Sequence, residues 1–579
     1  MSSVRERIKA RLSNKIYPNP ADPETAQKLA DGIEQFRKSY LGKHFRWILS
    51  GAEFSSIGVY FETRDPNEPE ISRRPKKQCV GFFPLFTWPH LCDLVNSHSE
   101  NIRNAGRRFF EENPWPKRVE LLETISRVVE ERFWLLCAAK MYETGQSIAE
   151  AIGETDEEAD FPLVNAMYLE EINRDLLIPN PSFAGDINGK CFYPHGVFLD
   201  VEPFNFPGAI PMDMATKALA MGNAVIMKPS PKSALCGYLV WESVKIAFER
   251  MGIDWRGVIN YAPGGAEVVD AFLSNPYVSG FSFTGSSEVF REIRHKHRDL
   301  LRYGWHGKAE LVYGSAETSG VNIFVVCEDA GPHHAANEYV KSFTGRSGQK
   351  CSSARIAFVA EKVLSVFLDS VCERLEQIRY GDVKQGANVG AMITYSDKEK
   401  LVKQIEALES VGTVDVYFEK EINQVSASDF PPTLLMCEGA SDDEEDMRTV
   451  MNTEFFGPVS TVVPFNNLDE IEWKCKLSNF ALTGSVFCRN LETLKRMMRV
   501  IPSGNLYWNR KCTGALVDTE CFGGLRSASS PNGVKGKNAL ALFGSQQTFS
   551  GFYPKDADDE YKKAAQEVLT QGGINLSKQ

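Results

Sequence analysis

From Val197 onward the chain alternates short apolar runs with helical stretches, and this rhythm limits the fold more than any other feature. VFLDV (197–201) reads as a strand, PMDMATKALAMG (211–222) as a helix and NAVIMK (223–228) as a strand. A helix over 234–252, a strand in GVINY (257–261), a helix in AEVVDAFL (266–273) and a strand in SGFSFTG (279–285) continue the series. Strands separated by helices pair in parallel through crossover connections, which predicts an α/β fold of the dinucleotide-binding type. Gly264, Gly265 and Gly285 fall at the strand-to-helix turns. A second α/β region is expected from about Val321 to Val517, with strands in RIAFVA (355–360) and TVVPF (461–465) and a helix over 363–378. Upstream, Leu121, Leu122, Ile125, Val128, Val129, Phe133 and Leu136 recur at helical spacing and predict one amphipathic helix. Residues 1 to about 50 read as helical and peripheral, and the acidic run DDEED (442–446) as a solvated loop.

Composition narrows the class. The 579 residues carry a formal charge of −11, which disfavours nucleic acid and anionic membrane as partners. No run is long and apolar enough to span a bilayer. Arg5, Arg7, Lys9 and Arg11 faintly resemble a mitochondrial presequence, though a charged surface helix is the plainer reading. The expected location is cytoplasmic, with the mitochondrial matrix as the alternative. Thirteen scattered cysteines without a CxxC pair suit free thiols in a reducing compartment. His295 with His297, and His333 with His334, have no carboxylate or thiol at a ligand-like offset, so no metal is expected. REIRHKHRDLLR (291–302) reads as a solvated basic helix, with an interface or an anion-binding patch as the minority reading.

Three strings carry candidate chemistry. In SGQKCSSARIAFV, Cys351 precedes a strand among small and polar residues, beside Lys350 and close to Gly348. An inert buried thiol is the alternative. Glu317, in YGSAETSGVNIFVV, lies 34 residues earlier, and alone it would be a solvated strand-edge acid. Asn205, in EPFNFPGAIP, ends a strand where its amide can donate into a cleft at the carboxyl ends of the sheet. Weaker signals are Lys228 in MKPSPKS and Ser286 in FTGSSEVF, the latter at a helix start whose free N–H groups suit a pyrophosphate. NTEFFGPV offers Glu454 and Phe456, and CTGALVDTECFGG a glycine-rich loop around Gly514 and Ala515. A GxGxxG fingerprint is absent.

Taken in order, EPFNFP, KPS, FTGS, AETSG, GQKCS, EFFGPV and the late FGG resemble the aldehyde dehydrogenase superfamily from about residue 160 to 555. PFNF, the extended segment between FTGS and Glu317, and NLYWNRKCTGALV resemble its glutamate-semialdehyde (1-pyrroline-5-carboxylate) branch. The resemblance implies Cys351 as nucleophile, Asn205 and the Cys351 N–H as oxyanion donors, and Glu317 as the base that activates water. It implies NAD, with NADP left open, held by Phe204, Lys228, Ser230, Gly264, Gly285, Ser286, Glu454 and Phe456. It also implies substrate contacts from Phe206, Ser352, Gly514 and Ala515. The implied domains are a helical extension at 1–50, a cofactor domain at 51–175 and 198–317, and a catalytic domain at 318–522. A β-flap and C-terminal loop at 176–197 and 523–556 would pair protomers into a homodimer or an assembly of dimers, before a tail at 557–579. Pro231 stands where many relatives carry a ribose-binding acid; Ser319, Cys521, Ser529 and Phe290 also depart from the common pattern. Other readings are a coenzyme-A-acylating semialdehyde dehydrogenase, a dehydrogenase for an apolar or aromatic aldehyde, and a catalytically silent member of the fold.

Overall fold

In the computed structural model the described residues are 5–6, 8–9, 18–67, 79–174, 186–297, 302–304, 307–309, 312–410, 412–424, 426–437, 443–530, 534–552, 559–560 and 563. Two seven-stranded sheets organise them. The first runs in the order Val312–Glu317, Gly280–Thr284, Val197–Val201, Ala224–Lys228, Ile259–Tyr261, Trp47–Leu49, Ala52–Phe54. Its first five strands are parallel and the last two antiparallel. VFLDV and AVIMK are buried at every position, as expected of strands covered by helices on both faces. From the central strand Val197–Val201 the chain moves outward through Ala224–Lys228 and Ile259–Tyr261. It then returns to the other side as Gly280–Thr284 and Val312–Glu317. This reversal opens a crevice at the carboxyl ends of the strands, the usual ligand site of such sheets.

The second sheet is ordered Asp415–Glu419, Thr433–Met436, Val459–Phe465, Ala354–Ala360, Asn322–Val326, Thr483–Phe487, Asn505–Trp508, with only its first strand antiparallel. Four residues, 318–321, carry the chain from one sheet to the other. Glu317 therefore ends the first sheet, Asn322 begins the second, and Cys351 precedes the neighbouring strand Ala354–Ala360. The fold is the α/β architecture anticipated, with a separate ribbon in which Asp186–Pro194 pairs antiparallel with Gly544–Phe552. The segment between FTGS and Glu317 contains a short hairpin, Arg302–Gly304 with Gly307–Ala309.

Several expectations change. The helical extension expected over 1–50 does not reach its end: among the described residues Pro23–Ser39 is a long helix, but Trp47–Leu49 is a fully buried strand of the first sheet. Pairing with Ile259–Tyr261 decides that segment, and local propensity does not. The amphipathic stretch around 121–136 is two helices, Trp115–Glu131 and Phe133–Thr144, broken at Arg132. The apolar spacing runs through the break because both helices face one core. The acidic run is not a loop. Asp443 accepts from the N–H groups of Glu445 and Asp446 and caps the helix Glu444–Val450, whose first turn carries Glu444, Glu445 and Asp446. The expected flap around 177–193 lies outside the described residues before 186, as does most of the tail at 557–579. All thirteen cysteines are free thiols. No helix among the described residues is long and apolar enough to cross a membrane.

Candidate active site

Two cavities meet at Cys351. The larger, about 410 Å³, lies at the carboxyl ends of the first sheet. Phe204, Asn205, Lys228, Ser230, Gly285, Ser286, Glu454 and Phe456 all border it. The smaller, about 240 Å³, is bordered by Glu317, Phe206, Ser352, Gly514 and Ala515. Cys351 is the one residue common to both linings. The sequence order of these strings carries no sign of that division. It arises because the loop that carries Cys351 precedes a strand of the second sheet.

The Cys351 thiol donates to Glu317 Oε1 at 2.9 Å. Burial pushes the thiol well above its ordinary value, and the neighbouring Glu317 charge pushes it further. Burial also raises the Glu317 carboxyl, with the thiol hydrogen bond working against the rise. The adjacent Lys350 does not offset this, because its ammonium turns to Glu150 at 3.3 Å. The site therefore sets the Cys351 thiol directly against the Glu317 carboxyl.

The loop is fixed by close backbone approach. Asn322 Nδ2 donates to the carbonyls of Cys351 (2.7 Å) and Ser353 (2.8 Å), and its Oδ1 accepts from Thr483 N at 2.9 Å. A Cβ on Gly320 would lie 2.2 Å from the Cys351 carbonyl oxygen. Gly348, at φ +68°, packs its α-carbon on Gly457 of the EFFGPV string. These contacts explain why glycines stand three residues after Glu317 and three residues before Cys351.

In the larger cavity, Lys228 Nζ donates to the Gly264 carbonyl at 2.8 Å, and burial brings this ammonium down to about 8. Gly264 thus serves through its carbonyl, while Gly265 borders the cavity in its place. Ser286 Oγ accepts from Val289 N at 3.3 Å and caps the helix Ser287–His297. Glu454 Oε1 accepts from Gly320 N at 2.9 Å, and burial raises its carboxyl. Phe204 meets Phe456 edge-on at 5.9 Å. This set — a helix start, a cation, an acid and two aromatic rings around a cleft — fits a dinucleotide. Asp397, Lys400 and Gln404, from the distant helix Tyr395–Ser410, complete the wall. No sequence signal marks them.

The smaller cavity holds further residues beyond motif reading. The helix Ile148–Arg174 presents Glu150, Gly153, Glu154 and Glu157 at helical spacing, and Arg346, Lys511, Phe522 and Lys535 also face it. Burial pushes Glu157 up to about 7. Helical periodicity of charge within an otherwise buried helix was the available clue. The departures from the common pattern leave the site intact. Ser319 Oγ accepts from Ser287 N at 3.2 Å, Phe290 packs on Phe283 at 5.3 Å, and Ser529 bridges to the Glu317 backbone. Cys521 is exposed. The histidines are engaged elsewhere: His297 with Asp270, His333 with Ser370 and His334 with the Asn509 carbonyl.

Comparison with known proteins agrees with this geometry. The chain is 30% identical over 520 residues to a 1-pyrroline-5-carboxylate dehydrogenase of Geobacillus thermodenitrificans, covering 89% of this chain and 94% of that protein. It is 27% identical over 556 residues to 1-pyrroline-5-carboxylate dehydrogenase 2 of Bacillus subtilis, covering 93% and 99%. A solved 1-pyrroline-5-carboxylate dehydrogenase from Thermus with bound NAD superposes with a TM-score of 0.82 at 24% identity, over 93% of this chain and 99% of that one, a likeness of fold. The model of the aldehyde dehydrogenase family matches residues 96–548, a span containing every residue of both cavity linings, and the chain belongs to that family.

Proposed function

We propose that this enzyme oxidises L-glutamate γ-semialdehyde, the open form of 1-pyrroline-5-carboxylate, to L-glutamate with NAD as the hydride acceptor. The observation that carries the reading is Cys351 standing alone between a dinucleotide-sized cavity and a small charged one. Cations and acids interleave around the small cavity, which suits an amino-acid aldehyde better than an apolar or aromatic one. The names of the similar Geobacillus and Bacillus proteins point the same way.

In this mechanism Glu317 takes the Cys351 proton along the 2.9 Å hydrogen bond, and the thiolate attacks the aldehyde carbon. Asn205 and the Cys351 N–H stabilise the resulting oxyanion; one such donor is worth roughly 3–4 kcal/mol of barrier. Phe204, Lys228, Ser230, Ser286, Glu454 and Phe456 hold the cofactor. The bound nicotinamide ring supplies the hydride acceptor. The thiohemiacetal loses its hydride to that acceptor and becomes a thioester; once Glu317 has passed its proton to solvent it takes one from the water that attacks the thioester, the Cys351 thiolate leaves, and glutamate is released. The presence of this base favours hydrolysis over transfer to coenzyme A. The free thiols suit a cytoplasmic setting. The ribbon of Asp186–Pro194 and Gly544–Phe552, too small to stand alone, pairs with a second copy.

The test is NAD reduction with glutamate semialdehyde, succinic semialdehyde and benzaldehyde, using Cys351→Ser as control. A clear preference for benzaldehyde sinks the substrate assignment. Full activity in Cys351→Ser sinks the mechanism. The same assay with NADP decides what Pro231 does to cofactor choice.

A further inference from the structure

Asn205 follows a strand of the first sheet and Cys351 precedes a strand of the second, yet one buried carboxylate grips both of their segments. Glu154, on the helix Ile148–Arg174, is 2% exposed. Its Oε1 accepts from Gly208 N at 2.8 Å and from Ala209 N at 3.3 Å. These residues open the helix Ala209–Ala220, three and four positions after Asn205. Its Oε2 accepts from Arg346 Nη1 at 2.9 Å and from Gln146 Nε2 at 2.7 Å. Arg346 lies five positions before Cys351. An anion set between the first N–H groups of a helix and a guanidinium is held from both ends.

Neither end has room to shift. A Cβ on Gly208 would lie 2.3 Å from Glu158 Oε2 and 2.5 Å from Lys140 Cε, so the helix start is wedged against the buried Lys140–Glu158 ion pair of 2.6 Å. Glu154 and Glu158, one turn apart on the same helix, thus both meet Gly208. At the other end, Arg346 and Ser347 are left-handed, at φ +56° and +51°. Non-glycine residues hold that conformation only where their surroundings impose it. The Phe206 ring, one residue after Asn205, lies 4.8 Å from the Arg346 guanidinium carbon and joins the two segments a second time.

We infer that Glu154 is a positioning residue that sets the Asn205 amide and the Cys351 N–H at the spacing an oxyanion needs. As the carbon–sulfur bond forms, the carbonyl electron pair moves onto oxygen, and donors already in place lower the barrier without reorganising. This rests on the mechanism proposed above, and the first arm of the experiment tests that mechanism alone. Asn205→Ala should lower kcat roughly 100-fold. No fall there removes Asn205 from the oxyanion role and the inference with it. Glu154→Gln offers one acceptor oxygen where two are used, so one arm of the bridge meets an amide N–H. It should lower kcat roughly 30-fold and change KM less than about threefold. The fall should be equal for glutamate semialdehyde and for pentanal, an uncharged aldehyde of equal chain length, because both form the same oxyanion. Added to Asn205→Ala, Glu154→Gln should cost less than about threefold more. Alkylation of Cys351 by iodoacetamide, which forms no oxyanion, should stay within about threefold of wild type. Glu154→Asp keeps the charge but is too short to reach both segments. It should show a smaller loss with the same non-additivity, and it serves if the glutamine variant does not fold. Losses that multiply in the double variant, or alkylation that falls as far as turnover, make Glu154 a general support of the fold and overturn the inference. A fall confined to glutamate semialdehyde makes Glu154 a substrate contact and overturns it too, as does an unchanged kcat.

Discussion

Substituting Gly320 by alanine tests how the nucleophile is held. Gly320 is in the four-residue passage between the two sheets, where a Cβ would stand 2.2 Å from the Cys351 carbonyl oxygen. Ordinary non-bonded contacts lie near 3.5 Å, so about 1 Å has to open. The backbone on one side is tied by Gly320 N to Glu454 at 2.9 Å. On the other, the Cys351 carbonyl is tied by Asn322 at 2.7 Å, and Asn322 is anchored in turn on Thr483. Either adjustment moves the sulfur relative to Glu317 and Asn205. A displacement of about 1 Å at a reacting atom costs roughly 100-fold in rate, or about 2.7 kcal/mol of barrier. We therefore expect Gly320→Ala to keep its far-UV circular dichroism and to lose about two orders of magnitude in kcat/KM, measured as NADH absorbance. Retention of more than half the wild-type kcat/KM would refute the reasoning, since the cradle would then relax without moving the nucleophile.

Two further substitutions probe charge. Glu317→Gln should cut turnover by about 100-fold or more and leave an acyl adduct on Cys351, visible by intact mass. Because Glu317 is the group placed to take the Cys351 proton, the same variant should react more slowly with iodoacetamide at neutral pH; turnover close to wild type removes Glu317 from the base role. Glu143 accepts from Leu235 N and Cys236 N at 2.8 and 2.6 Å, and burial pushes its carboxyl up to about 7. The folded chain thus keeps a proton that the unfolded chain releases near the ordinary carboxyl value. This contribution to stability is full at low pH and is lost as pH rises toward 7, up to ~3 kcal/mol in all. Urea unfolding at pH 5.5 and 7.5 should show a smaller difference in Glu143→Gln than in wild type; an unchanged difference would assign the slope to other groups.

The alternation of strands and helices was legible in the chain because it is local, and Cys351 and Glu317 were singled out by the family resemblance of the strings around them. Short apolar runs bounded by glycine become buried strands, and Asn205, Lys228, Gly285 and Glu317 follow strand ends by necessity. That alone put them on one rim of a parallel sheet. The residues that shape the small cavity were not legible. Glu150, Glu154 and Glu157 sit on a helix some 190 to 200 residues before the loop that carries Cys351, and their meeting with Arg346 is a packing event. Trp47–Leu49 became a sheet strand through pairing with Ile259–Tyr261, a partner no local pattern names. The direction of the Cys351 shift likewise came from burial and from Glu317, not from its sequence neighbour Lys350. Backbone pattern is set by side-chain periodicity over a few residues, whereas electrostatics and shape depend on which distant surfaces exclude water together. The sequence by itself therefore determined the scaffold and singled out Cys351 and Glu317 as candidates. Only the tertiary structure decided which charges surround them and which segments Glu154 ties together.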